Sequence, residues 1–455
     1  MEDWLKAALK YIPLWLGFQM RQTRQPGCAI AVAHKGRVVL NRAFGHADAI
    51  NDQALTPKHR FRAASHSKSF AAAGIMKLRE TNRVRLDDPV GNHVTGLFRD
   101  VAATTIAQLL SHSSGLIRDG TDAGQWQDHR PFLDEGELRA ALSLPPVLEA
   151  SMQFKYSNHG YGLIGLVIEA VTGERYKDWI EREIITASKL KHTQADGPPS
   201  ADVPFAGGHS SRLPLGQRVL VPADNPTHAL APATGVISTA SDLARFFASL
   251  DPDADQSVLS RSSRREMIRR QWHDAQSTLE SYYGLGTMIG KIGDWEWVGH
   301  SGGFQGCVSR TVMLPGRDLS VSVLTNAIDG GATPWSEGAV QILRSFSTRG
   351  TATAETADWT GRWWSLWGAI DLVPASDHVV VATPSFTNPF SGASEIKVAG
   401  GDGGWINLAG GFGSHGEGAH LVRDGKGRVR EVWIAGTKFQ SEARAKAELK
   451  RQYQA

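Results

Sequence analysis

Three short stretches hold residue types that together can move a proton and make an acyl bond. The first is Ser65-His66-Ser67-Lys68. The run after it is rich in Ala, Leu, Met and Lys, good helix formers. Ser65 is therefore expected at a helix N-terminus, facing the positive end of the dipole. Lys68 falls one turn along on the same face. A lysine held there and partly desolvated can lose its proton near neutral pH and take the serine proton. The second stretch, Tyr156-Ser157-Asn158, reads as a loop-to-helix junction. Its phenol can pass a proton to a leaving group, and its amide can hold Lys68 and orient a substrate amide. The third is His300-Ser301-Gly302-Gly303, after a strand-like 295–298. Its glycines let a substrate carbonyl approach the backbone closely. Each stretch alone has a plainer reading, as a capping serine with a solvated lysine, a core tyrosine beside a capping asparagine, or a turn histidine. Only the ordered set points to chemistry. His112 is a further candidate base, but it reads better as a histidine whose ring binds local backbone and holds a loop. His66 carries no role that can be derived.

The elements that must position these residues can be placed by periodicity. Residues 2–23 form a helix with Trp4, Leu5, Ala8, Leu9, Ile12, Trp15 and Leu16 as one apolar stripe. It is expected to pack on the protein's own sheet. Residues 27–34 and 37–44 form a hairpin around Lys35-Gly36. Helices follow, after Ser65 and over 105–114, 155–172, 240–250 and 260–270. Strands then cover 282–289, 295–298, 307–314 and 319–325, and a helix covers 335–346. An early hairpin and late strands with helices between them imply one antiparallel sheet built from both ends of a domain. Residues 194–234, rich in Pro, Gly, His and Ser, are long for a plain connection and read as a wall or lid. Residues 349–357 read as a linker. The rest shows short apolar strands between Gly, Asp, Asn and Pro, a small all-β domain. Its tryptophans, Trp359, Trp363, Trp364, Trp367, Trp405 and Trp433, read as core or interface ahead of a ligand pocket.

With these residues in order, the chain resembles the serine β-lactamase-related hydrolases: class C β-lactamases, D-alanyl-D-alanine carboxypeptidases, D-aminopeptidases and related esterases. The residues that carry this are Ser65-x-x-Lys68, Tyr156-x-Asn158 and His300-Ser301-Gly302, with 110–116 and 238–243 as further familiar segments. The resemblance covers about residues 25–346. It implies an α+β fold: a β-lactamase/transpeptidase-like antiparallel sheet with flanking helices and a helical insertion, over residues 1–348. A small barrel-like domain over 358–455 would follow. It implies Ser65 as nucleophile, Lys68 and Tyr156 as its proton handlers, and His300 in the catalytic set. The backbone N–H groups of Ser65 and Gly303 would form the oxyanion hole, and Asn158, Ser301 and Gly302 would contact substrate. The reaction would be acyl transfer through Ser65 onto water, with no metal and no organic cofactor. The third motif departs from the lysine-led form of class C β-lactamases, so β-lactam hydrolysis is expected as a side activity at most. Four readings stay open: an esterase, an amidase or peptidase acting beside a D-amino acid, a non-catalytic penicillin- or peptidoglycan-type binding protein or sensor, and a true β-lactamase.

Bulk composition narrows the partners. The net charge is +3 over 455 residues with no basic stripe, which argues against nucleic acid; the resemblance implies a small-molecule ester, amide or D-amino-acid substrate. No apolar run can span a bilayer, and the N-terminus lacks a secretory pattern, so a cytoplasmic location without stable membrane insertion is expected. Cys28 and Cys307, the 2 cysteines, read as inert core thiols. Oligomeric state is not legible.

Overall fold

The computed structural model describes every residue except Leu279, Phe412, Gln454 and Ala455. Among the described residues, nine strands form one antiparallel sheet and eight more close into a barrel. By Cα proximity the chain divides into two compact units, residues 25–336, and residues 1–24 with 337–455.

The larger unit is built on the nine-stranded sheet. Its centre joins Gly27–His34 to Leu319–Thr325, with Val32 opposite Val321. Cys307–Leu314 and Trp295–Phe304 follow outward, with His300 opposite Thr311. The first and last strands of the unit are thus neighbours, as expected of a sheet closed from both ends of the chain. Gly27–His34 is buried along almost its whole length, the mark of a strand covered on both faces. Leu319–Thr325 alternates Leu or Val with Ser, yet all of it is buried. Its serines are satisfied: Ser320 donates to the Ala244 carbonyl at 2.6 Å, and the Ser322 hydroxyl lies 2.9 Å from that of Thr311. Both cysteines are buried and unpaired, with burial raising each thiol's pKa, that of Cys307 to about 12.

The helix Ser67–Glu80 runs through the interior, which explains its small residues. A Cβ at Gly74 would sit 2.8 Å from Ile180 Cδ1. Large side chains there would hold the neighbouring helices off. The 194–234 segment is mostly irregular and is nailed down by two buried arginines. Arg62 donates to the carbonyls of Ala223 (2.8 Å), Gly235 (3.0 Å) and Asn225. Arg60 reaches the carbonyls of Ser200 and Val203 at 2.6 and 3.0 Å.

In the smaller unit, strands from Gly361–Ser365 to Thr437–Gln440 close the barrel, with Trp364 opposite Gln440. Its interior is filled by Trp359, Leu372, Val379, Ile396, Leu421 and Val432. The tryptophans differ in burial: Trp359 is fully buried in the barrel interior, whereas Trp367 is 91% exposed. The expectation from sequence is one catalytic domain over residues 1–348, with the first helix on the protein's own sheet; the helix lies instead beside the barrel strands. Asp3–Thr23 belongs to the barrel unit, where Tyr11 donates to Asp371 at 2.9 Å and the Trp15 indole to the Phe386 carbonyl at 3.1 Å. An apolar stripe shows that a helix is buried but not against what. The division near the C-terminal side falls at 336/337, inside the helix Ala332–Arg349. A closing helix, Glu442–Tyr453, was not expected. Among the described residues no helix is long and apolar enough to cross a membrane.

Candidate active site

Ser65 sits on a tight turn fixed from three sides. The strand Phe61–Arg62 pairs with Ile237–Ser238 and leads into a 3-10 turn, Ala64–His66. The α-helix begins at Ser67, one residue later than the sequence suggested. Ala64 takes a left-handed conformation, φ +50°, which costs a non-glycine residue energy and needs support. Ser67 supplies some of it, donating to the Ala64 carbonyl at 2.6 Å and accepting from Val236 N at 2.8 Å. His66, fully buried, bridges the Ala63 carbonyl (2.8 Å) and Thr311 Oγ1 (3.0 Å). Ser309 donates to the Ala63 carbonyl at 3.0 Å. Gly302 passes so close that a Cβ would lie 2.2 Å from that carbonyl. His66 is therefore part of the frame under Ser65.

Lys68 is wholly buried, with its nitrogen 3.3 Å from Ser65 Oγ, 2.7 Å from Asn158 Oδ1 and 2.8 Å from the Ala233 carbonyl. Burial holds its pKa well below the usual lysine value; Asp119 opposes this and Arg118 adds to it. The wall segment thus delivers a carbonyl to the lysine. Asn158 opens the helix Asn158–Thr172, but the cap is Ser157, whose hydroxyl accepts from Gly160 N at 2.9 Å. The amide of Asn158 is free for the site: Nδ2 donates to Asp119 Oδ1 at 2.6 Å.

The Tyr156 ring lies over this cluster, its centroid 4.7 Å from Lys68 Nζ. Burial raises its pKa, while the Ser65 hydroxyl and Arg118 pull the other way. It is a phenol, not a phenolate, at neutral pH. His112 stacks under it with centroids 4.2 Å apart and accepts from Ser157 N at 3.1 Å. It holds the loop, as the sequence suggested.

His300 lines the opposite wall with both ring nitrogens occupied. Tyr283 donates to Nε2 at 2.9 Å, and Nδ1–H donates to the Ser301 carbonyl at 2.7 Å. Burial, then Lys68 and His66, hold its pKa well below the ordinary histidine value. The ring is neutral and spoken for. Ser301, Gly302 and Gly303 continue that wall, and a Cβ at Gly303 would meet nothing within 4 Å.

The cleft these groups enclose has a volume of about 310 Å³. It is also lined by Arg118, Asp119, Trp126 and Met288, which the sequence did not single out. Arg118 and Asp119 follow the 110–116 segment by only two and three residues, but their placement depends on backbone contacts: Asn158 N donates to the Arg118 carbonyl at 2.9 Å, and Ser157 Oγ to the Ile117 carbonyl at 2.6 Å. Nothing in residue type announces such contacts. Among the described residues no cluster of His, Cys, Asp and Glu is arranged to hold a metal ion.

Comparison with known proteins places this geometry in context. Residues 15–334 match the family model described as Beta-lactamase. Protein flp of Staphylococcus aureus (strain MW2) is 30% identical over 172 residues, 37% of this chain and 34% of its own length. The chain therefore spans about a third of the curated relatives it matches first. Among solved structures, the octameric penicillin-binding protein homologue from Pyrococcus abyssi has a TM-score of 0.66 at 21% identity, over 95% of this chain and 99% of that one. A D-stereospecific amidohydrolase from Streptomyces sp. has a TM-score of 0.60 at 26% identity, over 74% of this chain and 98% of that one.

Proposed function

This chain belongs to the Beta-lactamase family, and we propose that it is a serine hydrolase that acylates itself on Ser65 and cleaves a small ester or amide. One observation carries the reading. Of the three polar partners of Lys68 Nζ, Asn158 Oδ1 and the Ala233 carbonyl are acceptors. A neutral amine has two N–H bonds and one lone pair. In the neutral form the two acceptors would use the N–H bonds, leaving the lone pair for the Ser65 hydroxyl, whose oxygen lies 3.3 Å away. Burial disfavours the ammonium form and lowers the pKa toward that state.

In acylation, Ser65 Oγ bonds to the substrate carbonyl carbon as its proton moves to Lys68. The oxyanion is met by the backbone N–H groups of Ser65 and Gly303, worth about 3 kcal/mol for each donor. The open cleft face at Gly303 supports this. The proton then passes through the Tyr156 phenol to the leaving oxygen or nitrogen, and the carbonyl–leaving-group bond breaks. Water repeats the attack on the acyl-enzyme, its proton taken by the same route, and Ser65 regains its hydrogen. Asn158 and Ser301 line the substrate's path. His300 acts as a neutral wall residue.

An amide substrate beside a D-amino acid is favoured by the similarity to a D-stereospecific amidohydrolase. Because His300 brings no positive charge to meet a β-lactam carboxylate, penicillin turnover is a side activity in this reading. Intact-mass measurement after a fluorophosphonate tests the nucleophile: one adduct on the wild type and none on Ser65→Ala is expected, and an adduct that survives the substitution refutes it. D- against L-alanine p-nitroanilide, p-nitrophenyl acyl esters and benzylpenicillin then rank the substrates. Benzylpenicillin turned over as well as the best ester or amide would overturn the side-activity reading.

A further inference from the structure

An asparagine side chain has two ends of nearly equal size and opposite polarity. The end of Asn158 that faces Lys68 decides whether the lysine can act as a base. With Oδ1 facing it, the amide accepts an N–H and the lone pair stays free. With Nδ2 facing it, the amide donates into that lone pair and occupies it. Something must choose. Asp119, its side chain 11% exposed at the cleft wall, lies at the far end of the amide, with Oδ1 2.6 Å from Asn158 Nδ2. An ionised carboxylate only accepts, so only the NH2 end can face it.

We propose that Asp119 is a positioning residue for the base, accepting from the Asn158 amide nitrogen and thereby turning the amide oxygen onto Lys68. This rests on the serine-hydrolase reading above and deepens it. Asp119 is itself held. Arg118 Nε lies 3.0 Å from its second oxygen. The Arg118 carbonyl accepts from Asn158 N at 2.9 Å and from His159 N at 3.3 Å, so the 117–119 segment is stitched to the helix that carries Asn158. Arg118, Asp119, Asn158, Lys68 and Ser65 then form one chain in which each donor has a defined acceptor.

Asp119 also acts on Lys68 through space. The titratable groups facing the lysine are Asp119 and Arg118 from this segment, His112, Tyr156 and Tyr161 from the neighbouring loop and helix, and His300 from the sheet. Asp119 is the acidic member, and it favours the ammonium form. Neutralising it moves the lysine titration to lower pH.

The test is the rate of Ser65 modification by a fluorophosphonate as a function of pH, read by intact mass on the full chain, for wild type, Asp119→Ala and Asp119→Asn, with thermal melts alongside. Asp119→Asn keeps an oxygen for the Asn158 amide, so it should retain most of the plateau rate while its acidic limb moves to lower pH. Asp119→Ala removes the acceptor and should lower the plateau by about tenfold or more. Variants that match wild type in both plateau and limb would overturn the inference and leave the hydrolase reading standing. Equal losses at every pH with an unmoved limb would reduce Asp119 to a structural role and overturn it too. A wild type that is not labelled on Ser65 would overturn the underlying reading instead.

Discussion

At the scale of the residue, the site turns on one protonation state. Lys68 touches two carbonyl-type oxygens and one hydroxyl, and burial holds its pKa well below the usual lysine value. Its folded pKa lies below that of a free lysine, so the reactive amine is populated above that pKa and lost as pH falls through it. The Ser65 acylation rate should therefore rise through one acidic limb and level off. Lys68→Met and Lys68→Arg should both cut that rate by about 10²–10⁴-fold and abolish the limb. The arginine stays charged and offers no lone pair. A fluorophosphonate pH–rate series on the three proteins checks this. Tyr156→Phe should keep the limb, because the base is intact. It should slow the anilide far more than the p-nitrophenyl ester, since an amine must leave protonated and a nitrophenolate need not. A ratio of the two activities equal to wild type would remove Tyr156 from the proton route.

At the scale of the element, the turn under Ser65 depends on absences of bulk and on buried donors. Gly302→Ala drives a methyl into the Ala63 carbonyl, backbone against backbone-bound Cβ. It should cost about 1–3 kcal/mol and slow acylation by shifting the oxygen of Ser65, whereas Gly303→Ala, with open space around it, should leave stability unchanged. Denaturant melts of the two variants compare them directly. Arg62 has no exposed side-chain surface, lies 3.7 Å from Asp196 and stacks on Phe304 at 4.5 Å. Removing it leaves several buried carbonyls without their donor and Asp196 without a counter-charge, so Arg62→Met should cost about 3 kcal/mol or more. It should also loosen 194–234 to proteolysis, because its partners Ala223, Asn225 and Gly235 lie in or beside that segment.

At the scale of the whole molecule, what could be read in advance follows a physical divide. Ser65, Lys68, Tyr156 and Asn158 were legible because their chemistry demands those types, and the two-ended sheet because hairpin and late strands leave unpaired edges that must meet. The partner of the first helix was not, since a stripe names no neighbour. Asp119 was not, since backbone stitching decides its place. Glu442–Tyr453 was missed although Ala, Glu, Lys and Leu dominate it, because a short terminal helix needs tertiary support that propensity does not reveal. Burial also shapes the molecule's response to acid. His66, His112 and His300 are 0%, 1% and 1% exposed and all pushed to low pKa, that of His66 to about 3, with desolvation the largest cause in each. In the unfolded chain they titrate near pH 6.5. Between that value and the folded pKa the unfolded state binds more protons, so stability is full above about pH 6.5 and falls as pH drops below it. The slope for one such histidine is up to about 1.4 kcal/mol per pH unit. Of the three, His66 is the one to replace, because its ring bonds the frame and not the cleft. His66→Gln should lose stability at pH 8, where two hydrogen bonds are disturbed, but should lose less than wild type on moving from pH 6.5 to pH 4.5. Urea midpoints at the three pH values give the slope, and parallel lines for the two proteins would show that His66 is not held neutral by the fold.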